Sequence, residues 1–175
     1  MTAIRSAVGS AFLAVASCAF GGVPPDLALL PVPGACVLLS RADVSEAVAN
    51  PVREGIPQMV GRDVMSCSFV EERGARVALL LRRIPTGSWA YEQIARMNRG
   101  VELGSYREVR GIGDRSFLYG PQSGAGVLCI FQSGYYLQIS FLGRAGDTRA
   151  RAALESLAAR ALARLDRVTA AIYGQ

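Results

Sequence analysis

The sequence contains no histidine and no lysine, so its 19 positive charges are all arginine, set against 14 acids for a formal net charge of +5. Without an imidazole there is no Ser-His-Asp or Cys-His arrangement and no histidine metal site. Without a lysine there is no P-loop and no Schiff-base chemistry. Charge of either sign is sparse, at 19 % of 175 residues. Apolar residues, by contrast, make up 51 % of the chain, which argues against intrinsic disorder. The length fits one compact domain with a short appendage.

The appendage is N-terminal. Arg5 supplies a positive n-region, Ala7 to Ala16 form a weakly apolar stretch, and small residues then lead into Cys18. This is the tripartite pattern of a secretory signal, too short for a stable membrane span. Its end, Val15-Ala16-Ser17-Cys18, resembles a bacterial lipobox, in which Cys18 is acylated (a palmitate-type anchor) and becomes the new N-terminus. Cleavage near Ala19, or a cytosolic protein with an apolar N-terminal helix, are the alternatives. The expected division is a signal peptide over 1–17, a tether and extended segment over 18–33 that includes Gly21-Gly22-Val23-Pro24-Pro25, and a single domain over 34–175.

With Cys18 lipidated, Cys36, Cys67 and Cys129 remain. A Cys36–Cys67 disulfide would close a loop of about thirty residues, worth roughly 3 kcal/mol on the chain-entropy picture, and an oxidising envelope permits it. The spacing is unlike CxxC or a zinc knuckle, so no metal is expected. Cys129, in the run Val127-Leu128-Cys129-Ile130-Phe131, reads as a small buried hydrophobe.

Along the chain, Ser40 is placed to cap a helix, with Asp43 as a capping-box acid and Leu39 and Val44 as a hydrophobic staple; Asn50-Pro51 ends it. Residues 52–62, punctuated by glycine and proline, read as a loop. Alternation then predicts a strand with Met65, Cys67 and Phe69 on one face, a turn at Glu71-Glu72-Arg73-Gly74, and a returning strand over 77–84. In that strand Leu79-Leu80-Leu81 suggests a central position covered on both faces. A second helix is expected over 89–98. About four strands follow, over 101–109, 115–119, 127–132 and 135–142, with a polar loop over 121–126 and a hairpin turn at Ser133-Gly134. The strongest periodic signal closes the chain: Leu154, Leu157, Ala158, Ala161, Leu162, Leu165, Val168 and Ile172 share one helical stripe, with the arginines away from it. The expectation is an α+β fold, an antiparallel sheet of five to six strands packed by helices, with a long C-terminal amphipathic helix.

The pattern Cys36-Val37-Leu38-Leu39-Ser40-Arg41-Ala42-Asp43-Val44, then Cys67-Ser68-Phe69, then Val109-Arg110-Gly111-Ile112-Gly113-Asp114-Arg115 resembles a group of small exported bacterial lipoproteins of unknown function. The resemblance spans roughly residues 34 to 165. It implies a PsbP-like α/β sandwich and an envelope location, and it brings no active site with it.

No residue set carries a clear reaction. Gly111-Ile112-Gly113-Asp114 begins like a dinucleotide fingerprint, but Ser116 stands where the third glycine would be and no helix follows. Positive-φ turn geometry accounts for the glycines, and Asp114 reads as a turn acid at a strand mouth that would suit a ligand contact. Glu71 and Glu72 are adjacent and point apart, as in a solvated turn, whereas a catalytic carboxylate pair must face one substrate. Tyr119, Tyr135 and Tyr136 pack the core or sheet edge, or else line a groove for a carbohydrate or lipid. Removing Arg5 leaves eighteen arginines against fourteen acids, a solvated face or one that meets an anionic partner.

Taken together, these features predict an exported, non-enzymatic, cofactor-free monomer that is tethered to the membrane and binds another envelope component through residues 52–62 and 120–126. That partner would be an envelope protein or an anionic lipid or glycan; the export signal disfavours nucleic acid. The alternative is a carrier holding an apolar ligand between sheet and helix, in a hollow lined by Met65, Leu79, Phe131 and Phe141.

Overall fold

The computed structural model describes residues 32–61, 63–72, 74–84, 106–120, 124–143 and 148–173. A helical turn, Ala35–Val37, leads into α1 (Arg41–Val48). Seven strands follow: β1 (Ile56–Gly61), β2 (Val64–Val70), β3 (Arg76–Arg83), β4 (Tyr106–Val109), β5 (Arg115–Tyr119), β6 (Ala125–Gln132) and β7 (Tyr135–Leu142). The final helix, α2, runs Ala150–Tyr173. All seven strands form one antiparallel sheet in the order β1-β2-β3-β7-β6-β5-β4. The α+β class, the antiparallel sheet and the C-terminal helix are as the sequence leads one to expect. The expected helix over 89–98 and the N-terminal segment with Cys18 lie outside the described residues.

The strand count is a correction: seven among the described residues rather than five to six. Ile56–Gly61 is a strand, not a loop. It lies at the sheet edge, where residues on both faces stay exposed, so no apolar-polar alternation marks it. Another boundary moves as well, since β6 begins at Ala125, inside the expected polar loop.

Register divides the side chains between two faces. Cys67, Leu79, Ile139, Leu128 and Leu118 are successive neighbours across the ladder and so point the same way. All are fully or almost fully buried, in one cluster with Leu154, Leu157, Ala158, Ala161 and Leu165 of α2. Helix α2 packs on β6 and β7, α1 packs on α2, and the Ala35–Val37 turn covers β1, β2 and β3. The alanines in the α2 stripe let that helix approach the sheet closely. The stripe ends before the helix does, because Ile172 is exposed. The opposite face carries a second, aromatic cluster of Phe117, Tyr119, Cys129, Phe131 and Tyr136. Residues buried on both faces are thus most continuous along β5, β6 and β7, more than along β3, whose Leu80 is only partly buried.

Among the described residues, the two sheet edges carry different obstacles to a further strand. In the β2–β3 hairpin the Glu71 N–H donates to the Ala75 carbonyl, and the Val70 carbonyl accepts from the Arg53 N–H. Odd-numbered β2 residues therefore bond β3 and even-numbered ones bond β1. Pro57, opposite Cys67, then has its ring nitrogen pointing outward, where it offers no donor to a newcomer. The register also slips between Met59 and Gly61, a bulge that bends the edge. At the far edge of the described sheet, Glu108 of β4 is paired with Arg115 at 3.0 Å. Charged side chains do there what proline does at β1.

Candidate functional site

Among the described residues, ionisable groups converge most tightly where α1 meets α2. Ser40 caps α1: its Oγ accepts from the Asp43 N–H at 3.2 Å, while its own N–H and Oγ–H donate to Asp43 Oδ2 at 2.7 and 2.5 Å. The expected capping box is present. What the sequence did not disclose is the rest of the shell. Arg164 Nη1 donates to Asp43 Oδ2 and, at 3.2 Å, to the Leu38 carbonyl. Arg160 donates to Asp43 Oδ1 at 3.2 Å and grips Glu46 with both terminal nitrogens, at 2.9 and 2.6 Å. At the other end of α1, Arg149 Nη1 donates to the Val48 carbonyl at 3.2 Å.

Burial raises the Asp43 pKa, but the hydrogen bonds from Arg164, Ser40 and Arg160 outweigh it and hold the carboxyl well below the usual carboxylate range. Glu46 is lowered by its hydrogen bonds from Arg160, and the Arg160 guanidinium is raised in turn by Glu46 and Asp43. Asp43 is only 7 % exposed, and both its oxygens are engaged. A carboxylate so held does not act as a general base; it fastens α1 to α2. Arg160 and Arg164 therefore do not belong to the solvated face to which their position beside the apolar stripe assigns them. Their spacing of four residues, one helical turn, was the available signal.

Beside this network, Cys36 and Cys67 form a disulfide, with Cα atoms 5.0 Å apart. It ties the turn before α1 to β2. An open cleft of about 480 Å³ lies against it, lined by Cys36, Leu39, Ser40, Arg41, Glu54 and Phe69 among others. Arg41 and Glu54 pair across 3.6 Å, both well exposed. Gly55 lines the same cleft, and a Cβ there would come within 2.6 Å of Cys67 Sγ and 2.8 Å of the Phe69 ring. Glycine is what lets the backbone lie against the disulfide.

The residues read as a possible ligand set do not come together. Tyr135 is buried in the main cluster, while Tyr119 and Tyr136 belong to the aromatic cluster on the other face. Asp114 is exposed in its turn, where Oδ2 accepts from the Ser133 N–H at 2.9 Å and its own N–H donates to the Phe131 carbonyl at 2.8 Å. That is a turn acid bonding local backbone. Gly111 and Gly113 have φ of 80° and 63°, so the glycine motif does serve positive-φ geometry. Of the acid pair, Glu72 is solvated but Glu71 is buried, which corrects the solvated-turn reading for Glu71. Cys129 is buried, and burial pushes its thiol up to about 12, against a smaller opposing effect of the Tyr136 hydroxyl, which donates to its sulfur at 3.2 Å. It is inert packing, as its apolar run implies.

Among the described residues no group of acidic and sulfur ligands could hold a metal ion, and no helix is long and apolar enough to cross a membrane. Comparison of the chain with family models, with curated proteins and with solved structures found no match.

Proposed function

We propose that this chain is an exported, lipid-anchored protein of the bacterial cell envelope whose folded domain is a non-catalytic binding module. The observation that carries the reading is the Cys36–Cys67 disulfide, because such bonds persist in oxidising compartments outside the cytoplasm. It agrees with the signal-like segment before Cys18. The ionic groups of the domain support the binding role: Asp43, Glu46, Arg160 and Arg164 are engaged in joining helices, and Asp63 and Glu108 each face an arginine. The obstacles at the described sheet edges favour a monomer.

The carrier reading is weaker. Leu79 and Phe141 are buried in the main cluster with Met65 packed against it, whereas Phe131 belongs to the cluster on the opposite face. The four cannot line one chamber.

Metabolic labelling with a palmitate analogue, with and without a lipoprotein signal-peptidase inhibitor, tests the anchor. The expected result is label on the native chain that is lost in Cys18→Ser. Equal labelling of the two, or none, removes the anchor.

A further inference from the structure

The β1 rim is the largest concentration of exposed apolar side chains in the described domain. Met59 is 71 % exposed, and Ile56, Val60 and Val37 are each 55 % exposed. Val37 joins the other three for a structural reason. Cys36 is bonded to Cys67, and Cys67 stands opposite Pro57 in the β1–β2 ladder, so the turn carrying Val37 lies over the same end of the sheet as Met59. Met59 and Ile56 are separated by an odd number of residues along the strand and point to opposite faces. The rim is therefore apolar on both sides, like a keel.

Such a rim is not suited to receiving another strand, because Pro57 presents no donor outward and the bulge at Val60 bends the edge. A flat partner surface would cover one side only. An occupant must wrap both sides and hydrate the outward-facing backbone groups, which the headgroup zone of a bilayer does and a rigid protein face does not. Two further observations favour a membrane. The chain reaches the domain at this end: Val32 packs on the core just ahead of the Ala35–Val37 turn. From Cys18 to Val32 is fourteen residues, a tether of at most about 50 Å, so an anchored domain has this rim within reach of the lipid. Among the described residues, the carboxylates that flank β1, Glu54 and Asp63, are paired with Arg41 and Arg82, and Arg53 is exposed, which lowers the repulsion from anionic headgroups.

We propose that the β1 rim, through Val37, Ile56, Met59 and Val60, rests in the headgroup zone of the anionic bilayer that carries the anchor. This rests on the anchored reading for its geometry, but its test is separate. Protein extracted from its membrane is reconstituted into vesicles of phosphatidylglycerol and phosphatidylethanolamine, and amide exchange is followed over residues 55–61 and, as a control, along α2. If the anchor is absent, the soluble chain is mixed with the same vesicles and read in the same way.

The expected result is exchange over 55–61 about tenfold slower on vesicles than in nonionic micelles, with α2 unchanged. Met59→Asp and Val60→Asp should each abolish that slowing while leaving the thermal midpoint in place, since both side chains are exposed. Equal exchange on vesicles and micelles, or slowing that survives both substitutions, overturns the proposal. So does self-association of the chain that Met59→Asp dissolves, which would give the rim to a second copy.

Discussion

Gly113 shows how a single residue is fixed by two demands at once. Its φ is 63°, and a Cβ would meet Ile130 Cγ2 at 2.6 Å and the Phe131 carbonyl at 2.8 Å. The carbonyl belongs to β6 and cannot yield without opening the ladder. Gly113→Ala should therefore cost about 2–4 kcal/mol, combining backbone strain with overpacking. Gly74, with φ of 99° and nothing within 4 Å of its Cβ position, bears the strain alone, so Gly74→Ala should cost about 1 kcal/mol. Urea denaturation of the two variants compares them directly; equal losses would contradict the close approach at Gly113. Asp43 is a different case, fixed by charge. Its folded-state pKa lies below its unfolded value, so its stabilising contribution is complete above the ordinary carboxylate pKa and is lost as pH falls through the depressed one. Asp43→Asn should lower stability at neutral pH by about 2 kcal/mol. The gap between variant and parent should narrow below about pH 3. A gap that stayed constant on acidification would show that the carboxylate charge is not what α1 and α2 share.

At the scale of elements, the sequence was most readable where a face is buried once and regularly. Cys67, Phe69, Leu79 and Leu81 alternate because one side of β2 and β3 faces the helices, and the α2 stripe repeats because one side of that helix does. Strand β1 escaped because both its faces meet solvent, and Pro57 with the flanking Gly55 and terminal Gly61 imitates a loop. The same physics hid the site. Ser40 and Asp43 are three residues apart, and local spacing discloses their bond, whereas Arg160 and Arg164 reach Asp43 across more than a hundred residues. The four-residue spacing of Arg160 and Arg164 places them on one side of the helix, but it does not say which carboxylate, if any, they reach. The β1 edge offers its own test. Pro57→Thr restores an outward N–H to a strand whose exposed residues are largely apolar, and it should raise self-association in sedimentation velocity. If the variant stays as monodisperse as the parent, proline is not what closes that edge.

For the whole molecule, the disulfide is the long-range fastening that the sequence disclosed, since two cysteines flanking a helix start and a strand needed only an oxidising compartment. It crosses a sequence separation of 31 and joins the turn before α1 to the sheet. Replacing Cys36 and Cys67 with serine should therefore cost about 3–4 kcal/mol, seen as a lower urea midpoint. A midpoint unchanged by the double substitution would mean that the ion network at Asp43 and the apolar cluster hold α1 without help. The account as a whole depends on where that bond forms. The most direct measurement is the intact mass of the native chain recovered from bacterial envelopes, before and after reduction. The account predicts a chain that begins at Cys18, carries acyl groups, and gains two hydrogens when its one disulfide is reduced. A chain that begins at Met1, without lipid and with every thiol already reduced, would contradict it.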